Sequence, residues 1–389
     1  MFTAVDPGLH KVLRNPTAQV YSMTNVRSYE QHIDDCTKIF LDILKQVEGQ
    51  ALDFTDYFHW YAFDVVASIT YHRRLGFLDA RGDVHGMIKG QEALLPYLAI
   101  IGQLPYLHPY LFGNRHMIAL MQRLFPSLPD PLGDLFGNID KEIRRYDQEE
   151  KHDRRTDFLA QLRAKDNPDR VNFKRDLMNH LSNNILAGSD TTATGIRAIL
   201  YFLIKNPTKY KKVVAEIDEA DLNGKLSPYV TYEESQKLEY FRAVVKEALR
   251  LHAPTCFPLE RVVPPEGASL CGYDMPGGTI IGIMAPLINH HKETYGEDAD
   301  TFRPERWLEA DAEQLIVMER NFTTFGHGER ACIGKNIALL EMSKFVPQLL
   351  RHFDVEWASQ SPEWTTYSYW FCKQKDVILR FKSRTKTAT

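Results

Sequence analysis

The chain has 389 residues, 44% hydrophobic and 25% charged, with a formal net charge of -4. That is ordinary globular composition, long enough for a large core in one or two domains, and the weakly acidic balance argues against nucleic acid as a partner. Five cysteines, an odd number without close pairs, argue against a disulfide framework and for a reducing compartment, and no zinc-type spacing occurs among the 14 histidines.

In chain order, no signal peptide or spanning helix is expected at the start: Met1 to Val5 is short and is followed by Asp6 and Pro7. The apolar spacing predicts helices over Leu9–Gln19, Ser28–Val47, Phe54–Tyr71 and His85–Leu95. Ala93 to Asn114 carries no charge. Pro96, Gly102, Pro105 and Pro109 interrupt it, so it reads as helix ends and a loop with an apolar surface rather than a span. Further helices are predicted over Asn114–Phe125, Gly133–Glu150 and about Asn172 to Lys205, the last closed by Asn206-Pro207. Thr208–Ala220, Tyr232–His252 and Lys335–Phe353 follow. Strand character is confined to Glu260–Val263, Ala268–Tyr273, Thr279–Met284 and Val377–Phe381, with Met275-Pro276-Gly277-Gly278 as a hairpin connection. The expected fold is mainly α with small β-sheets, a single domain over 1–389.

One cysteine stands in an informative setting. Phe325-Gly326-His327-Gly328-Glu329-Arg330-Ala331-Cys332-Ile333-Gly334 reads as a loop around an exposed thiolate that runs straight into a helix. Phe325 can shield the sulfur, and Gly328 permits a tight turn because glycine adopts positive φ without steric cost. Arg330 adds a fixed positive charge. The helix opening at Ile333 and Gly334 leaves unpaired N–H groups that can point at a negative sulfur. Such a thiolate suits an iron macrocycle, since thiolate ligation favours O–O cleavage. Gly326 to Ala331 also satisfies the dinucleotide fingerprint Gly-x-Gly-x-x-Gly/Ala, with acids at Asp354 and Glu356 downstream. The polar segment Glu319 to Thr324 before it does not read as the apolar strand which that alternative requires.

The long helix gathers weak helix formers at its centre, Ala187-Gly188-Ser189-Asp190-Thr191-Thr192-Ala193-Thr194-Gly195. Small residues there would admit a flat ligand, and hydroxyls beside an acid could relay protons. Glu247 and Arg250 share one helix face at i, i+3. His10 and Arg14 do so at i, i+4 near the start.

The cysteine loop resembles the haem-binding loop of the cytochromes P-450, Phe-x-x-Gly-x-Arg-x-Cys-x-Gly, at every fixed position. The resemblance implies a cytochrome P-450 fold and a haem-thiolate monooxygenase that inserts one oxygen atom of O2 into an apolar substrate. It implies Cys332 as the axial ligand of haem (iron protoporphyrin IX), with Phe325, Gly328, Arg330 and Gly334 around it. Ala187, Gly188, Asp190, Thr191 and Thr192 match the family's Ala/Gly-Gly-x-Asp/Glu-Thr-Thr/Ser motif. By that match Thr191 holds the hydrogen-bond network around dioxygen, Asp190 feeds it protons, and Ala187 and Gly188 make room for the haem. Phe302 to Trp307 resembles the segment that completes the family's buried lock, here Glu247, Arg250 and Arg306. His10, where the family commonly has Trp, would serve the haem propionates with Arg14, Arg261 and Arg330.

The substrate pocket is expected at Thr255, Cys256, Phe257 and Leu259, closed by Phe371. Electrons would come from NADPH through a separate flavoprotein reductase docking where Lys335 and Lys344 lie. Phe302 to Trp307 and Tyr21-Ser22-Met23 look like fungal microsomal members of secondary metabolism, which implies the cytosolic face of the endoplasmic reticulum membrane, with the apolar Ala93 to Asn114 region near the bilayer surface. The family's N-terminal anchor, its first strands and a loop covering the substrate have no counterpart in this chain, so strand edges are expected to stand unpaired. An isomerase or dehydratase on the same scaffold, a non-catalytic haem-binding fragment and a nicotinamide-dependent dehydrogenase are the alternatives. The Asp190-Thr191 pair favours the monooxygenase over the first.

Overall fold

The computed structural model describes residues 4–111, 113–124, 131–149, 155–165 and 173–385. Among them eleven helices reach ten residues: α1 Pro7–Ala18, α2 Glu30–Gln46, α3 Thr55–Tyr71, α4 Met87–Gln103, α5 Arg115–Leu124, α6 Pro131–Gln148, α7 Phe173–Lys205, α8 Pro207–Leu222, α9 Glu239–Leu251, α10 Ala312–Asn321 and α11 Lys335–His352. The strands are β1 Leu52–Asp53, β2 Leu259–Val262, β3 Ala268–Leu270, β4 Tyr273–Met275, β5 Ile280–Ile283, β6 Phe353–Trp357, β7 Thr365–Ser368, β8 Cys372–Lys375 and β9 Ile378–Ser383. They form an antiparallel sheet in the order β1-β9-β6 and three two-stranded ribbons, β2-β5, β3-β4 and β7-β8.

Local chemistry sets the helix ends. Asp6 accepts from the Leu9 N–H at 2.6 Å with Pro7 in the first turn of α1, and Pro207 stands in the first turn of α8, where α7 stops. The core is organised on α7. Against it lies α3, buried at every position from Phe58 to Tyr71 and mostly apolar, with His59, Asp64, Ser68 and Thr70 as its buried polar residues. Helices α9 and α11 close on the other half of α7. There a Cβ at Gly195 would fall 2.8 Å from Met342 Sδ and 3.2 Å from Leu249 Cδ2, so a residue without a side chain lets three helices meet.

Several expectations need correction. Ala268–Tyr273 is not one strand but most of a hairpin, turned at Cys271-Gly272, both at positive φ. Met275 to Gly278 instead joins β4 to β5, which pairs with β2. Tyr232–His252 breaks into a single turn, Tyr232–Ser235, and α9. A capping box of Thr231 and Glu234 starts that turn. Pro96 lies inside α4, and the loop begins only at Leu104, although exposed Ile100, Tyr106 and Tyr110 do give the region an apolar surface. The expected helix ends at Phe125, Glu150 and Asn172 fall outside the described residues. β6, β7, β8 and α10 were not expected. With α10 rather than a strand before Gly326, and antiparallel pairing throughout the described sheets, the dinucleotide-binding alternative loses its βαβ unit. No helix among the described residues is long and apolar enough to cross a membrane.

Candidate active site

The loop before α11 is a sequence of short-range turns. Gly326 N–H donates to Thr323 O at 2.8 Å, Ala331 N–H to Gly328 O at 3.0 Å, and Cys332 N–H to Phe325 O at 2.8 Å. Gly326 and Gly328 sit at φ of 65° and 66°, which a side chain would strain, so the loop needs both glycines. The Cys332 side chain is open on one side although protein surrounds it closely. Burial pushes the thiol pKa up. The N–H groups of Gly334 and Lys335 and the charges of Arg14 and Lys335 pull the other way, because each favours the thiolate. A Cβ on Gly334 would stand 4.0 Å from the sulfur. Lys335 Nζ lies 5.6 Å from the centre of the Phe325 ring.

Behind the loop, Glu247, Arg250 and Arg306 meet in one buried cluster. Arg250 Nε and Nη2 donate to the two Glu247 oxygens at 2.9 and 2.8 Å, and Arg306 Nε donates to Oε1 at 2.9 Å. Trp307 Nε1 and the Arg303 N–H complete the shell of Glu247 at 2.9 and 3.0 Å. Asn289 couples this cluster to the cysteine loop, a role that sequence reasoning missed. Its carbonyl receives Arg250 Nη1 at 2.6 Å, its Nδ2 donates to Thr324 Oγ1 at 2.9 Å, and its Oδ1 accepts from the Thr323 N–H at 3.0 Å. Nothing in Leu287-Ile288-Asn289-His290 distinguishes that asparagine locally.

Three of the four cationic candidates converge. His10 is buried, and burial followed by the charges of Arg330 and Arg14 depresses its pKa. Arg330 donates to the Ala4 and Val5 carbonyls at 2.5 and 3.1 Å. Among the described residues no carboxylate forms an ion pair with His10, Arg14 or Arg330. Arg261 lies on exposed β2, and its Nη1 donates to its neighbour's carbonyl, Glu260 O, at 2.6 Å. Lys344 needs correction too. It is buried and holds Glu30 Oε2 and Asp34 Oδ1 at 2.9 and 3.0 Å, so it offers no charge to a docking partner.

At the centre of α7, Ala187 is exposed and Thr191 half-buried, although Ser189, Asp190 and every residue from Thr192 to Tyr201 are buried, which marks an open space beside them. The Thr191 hydroxyl donates to Ala187 O at 2.7 Å. Gly188 faces elsewhere than expected: a Cβ there would fall 2.9 Å from Val66 Cγ2, so its smallness serves the packing of α7 on α3. Asp190 is wholly buried. His59 Nε2 and Lys373 Nζ stand 2.5 and 2.9 Å from its Oδ1 as charge contacts off the hydrogen-bond axis, and Gln91 Nε2 donates to Oδ2 at 2.7 Å. Burial alone would push the carboxyl pKa up, but His59 and Lys373 hold it far below the usual range, so Asp190 is a carboxylate.

The two walls expected for the substrate come together. Thr255 bridges Phe371 as an isolated antiparallel pair, and the Phe257 ring stacks on Trp370 with centroids 5.0 Å apart. Cys256 Sγ contacts Ser368 Oγ at 2.7 Å, and its thiol is pulled down, chiefly by a hydrogen bond from the Cys372 side chain. Leu259 Cδ1 lies 3.6 Å from where a Cβ of Gly326 would be, which joins this wall to the cysteine loop.

These residues fit a haem. They offer a sulfur backed by amide donors, cations without carboxylate partners, and an exposed small residue at mid-helix. A mainly helical fold with this donor set defines a haem-thiolate protein. The comparisons agree. A family model described as Cytochrome P450 matches residues 4–380. The monooxygenase cicH of Emericella nidulans is 34% identical over 99% of this chain and 77% of its own length. Pisatin demethylase of Fusarium vanettenii is 33% identical over 96% of this chain and 71% of its own. The crystal structure of the cytochrome P450DA haem domain superposes with a TM-score of 0.79 at 18% identity, covering 98% of this chain and 78% of that one, a likeness of fold. The chain belongs to the cytochrome P-450 family.

Proposed function

We propose that the chain inserts one oxygen atom of O2 into an apolar organic substrate of secondary metabolism, with electrons from NADPH through a separate flavoprotein reductase. The observation that carries this reading is the setting of Cys332, an exposed sulfur in a loop turned at Gly326 and Gly328 at the head of α11, with the N–H groups of Gly334 and Lys335 and the charges of Arg14 and Lys335 about it. Bound haem would supply the activation of dioxygen. Cys332 would hold its iron, and His10, Arg14 and Arg330 would take its carboxylates. Thr191 presents a hydroxyl on the open side of α7, and Asp190, one residue back, is the carboxylate that would take up protons and hand them on. Thr255, Phe257, Leu259 and Phe371 give the substrate half-buried apolar walls, and Cys256 lies behind them.

The test is the reduced, carbon-monoxide-bound difference spectrum of the haem-loaded chain and of Cys332→Ser. A strongly red-shifted Soret band that Cys332→Ser abolishes is expected, together with NADPH-dependent oxidation when reductase is supplied. Haem with an unshifted band would leave only a haem-binding fragment. Turnover without NADPH would replace the reading with an isomerase or dehydratase.

The exposed apolar side chains from Leu98 to Leu111 support contact with a membrane surface on the cytosolic face of the endoplasmic reticulum. Flotation with phospholipid vesicles is expected to recover the chain and to lose it in Ile100→Asp with Tyr106→Asp.

A further inference from the structure

The five cysteines are free and stand in different settings. Cys36 is buried in the core, Cys271 is exposed at the turn between β3 and β4, and Cys332 belongs to the site already described. Cys256 and Cys372 meet each other. The antiparallel contact of Thr255 with Phe371 is held by the Cys256 N–H donating to Trp370 O at 3.4 Å and the Cys372 N–H to Pro254 O at 2.9 Å. Each cysteine lies one residue beyond this bridge on its own segment, and strand alternation turns both side chains to the same face. There their thiols hydrogen-bond to one another.

The contact is not symmetric. Cys256 Sγ receives the Cys372 S–H and lies 2.7 Å from Ser368 Oγ, and Ser368 stands opposite Cys372 in the β7-β8 ribbon. Two donors at one sulfur favour its thiolate against the opposing effect of burial, so the Cys256 thiol is drawn down. Giving that hydrogen bond, and then burial, push the Cys372 thiol up. Trp370 O, at 3.7 Å, is a long and weak alternative for a proton on Cys256. A thiolate beside a thiol suits the reduction of an oxidant, one sulfur attacking and the other resolving. Ser368 is exposed and Cys372 half-buried, so a small oxidant has a way in.

We propose that Cys256 and Cys372 form an oxidation site for hydrogen peroxide, which closes as a disulfide between the two walls of the cleft. The Cys256 sulfur attacks one peroxide oxygen, the O–O bond breaks, and water leaves with a sulfenic acid remaining on Cys256. The Cys372 sulfur then displaces the sulfenic oxygen, which departs as a second water with the remaining thiol proton. Two thiols and one peroxide become one disulfide and two waters, each sulfur losing one electron and each oxygen gaining one. Diagonal positions across an antiparallel pair stand about 7–8 Å apart, whereas a disulfide spans about 4.4–6.8 Å between Cα atoms. The new bond therefore draws the Thr255 and Phe371 segments together, and their contact yields because it is an isolated bridge and not a ladder. The consequence for a substrate rests on the monooxygenase reading; the dithiol itself does not.

The experiment treats the full chain, with and without haem, and its Cys256→Ser, Cys372→Ser and Ser368→Ala variants with hydrogen peroxide. Alkylation, digestion and mass spectrometry follow. The parent is expected to yield a peptide linking Cys256 to Cys372 that dithiothreitol splits. Cys372→Ser should stop at a sulfenic acid on Cys256, trapped by dimedone, and Cys256→Ser should leave Cys372 open to alkylation. Ser368→Ala should form the link about threefold to tenfold more slowly, the effect of one lost hydrogen bond. In the haem-loaded parent, phenylimidazole binding read by the Soret shift should weaken by about fivefold or more on oxidation and recover with dithiothreitol. Cys372→Ser treated alike should not respond, which separates closure of the walls from damage to haem. Oxidation elsewhere, with Cys256 and Cys372 both still open to alkylation, would overturn the proposal. The link with unchanged phenylimidazole binding would overturn the closure of the walls. A chain that takes up no haem would overturn the monooxygenase reading, while the linked peptide still decides this one.

Discussion

At the scale of single residues, the groups that decide behaviour are ionisable side chains held away from water. Glu341 on α11 is one that the chemistry does not use. It is buried, its Oε1 has no hydrogen-bond partner among the described residues, and burial pushes its pKa well above the ordinary value of 4.5. The folded chain therefore keeps a proton that the unfolded chain releases above that pH. With more protons bound when folded, the contribution of Glu341 to stability is greatest below 4.5 and falls as pH rises toward the folded value. Glu341→Gln is expected to flatten this dependence and raise the urea midpoint at neutral and alkaline pH. Parallel slopes for the two proteins would contradict it. Asn289 works in the opposite sense, by being fully used. Asn289→Ala removes the acceptor of both the Thr323 N–H and the Thr323 hydroxyl, while the Thr324 hydroxyl keeps Leu249 O, and should cost about 1–3 kcal/mol per stranded buried group. Weaker haem retention with secondary structure intact, followed by circular dichroism and Soret absorbance, is the expected result.

Helices and strands differ in how much of themselves a sequence discloses. The close of α7 at Asn206-Pro207 and the cysteine loop were legible because each is encoded by neighbours in the chain. Gly188 was legible as an anomaly but not in its cause, since the atom that requires it, Val66 Cγ2, belongs to α3. Gly188→Ala should overpack this crossing by about 1–3 kcal/mol and lower the melting temperature. Val66→Ala in the same chain should recover most of the loss, which a purely local helix effect would not allow. Strand β8 was missed altogether. Cys372-Lys373-Gln374-Lys375 looks like a solvent-facing polar run, yet Lys373 and Gln374 are buried. Their partners, Asp190, Glu92 and Arg197, lie far away in the chain. The charge cluster around Asp190 was illegible for the same reason. It exists only once four distant segments are brought together.

For the whole molecule, the contrast lies between the two sides of the open space beside α7. Behind the cysteine loop every polar atom of the Glu247 cluster has a partner, and the cluster excludes water. Glu247→Ala would strand two buried arginines, at a cost of about 3–5 kcal/mol. It is expected to yield a chain that neither melts cooperatively nor takes up haem, read by calorimetry and Soret absorbance. The opposite side is built from a two-residue strand bridge, one ring stack and half-buried walls. Its parts depend on one another far less. Residues such as Phe257 and Phe371 can change size without disturbing the seat of the sulfur. Divergence among relatives, and any directed alteration of what the enzyme accepts, should accumulate on that ribbon, while the anchorage behind the cysteine tolerates almost no variation.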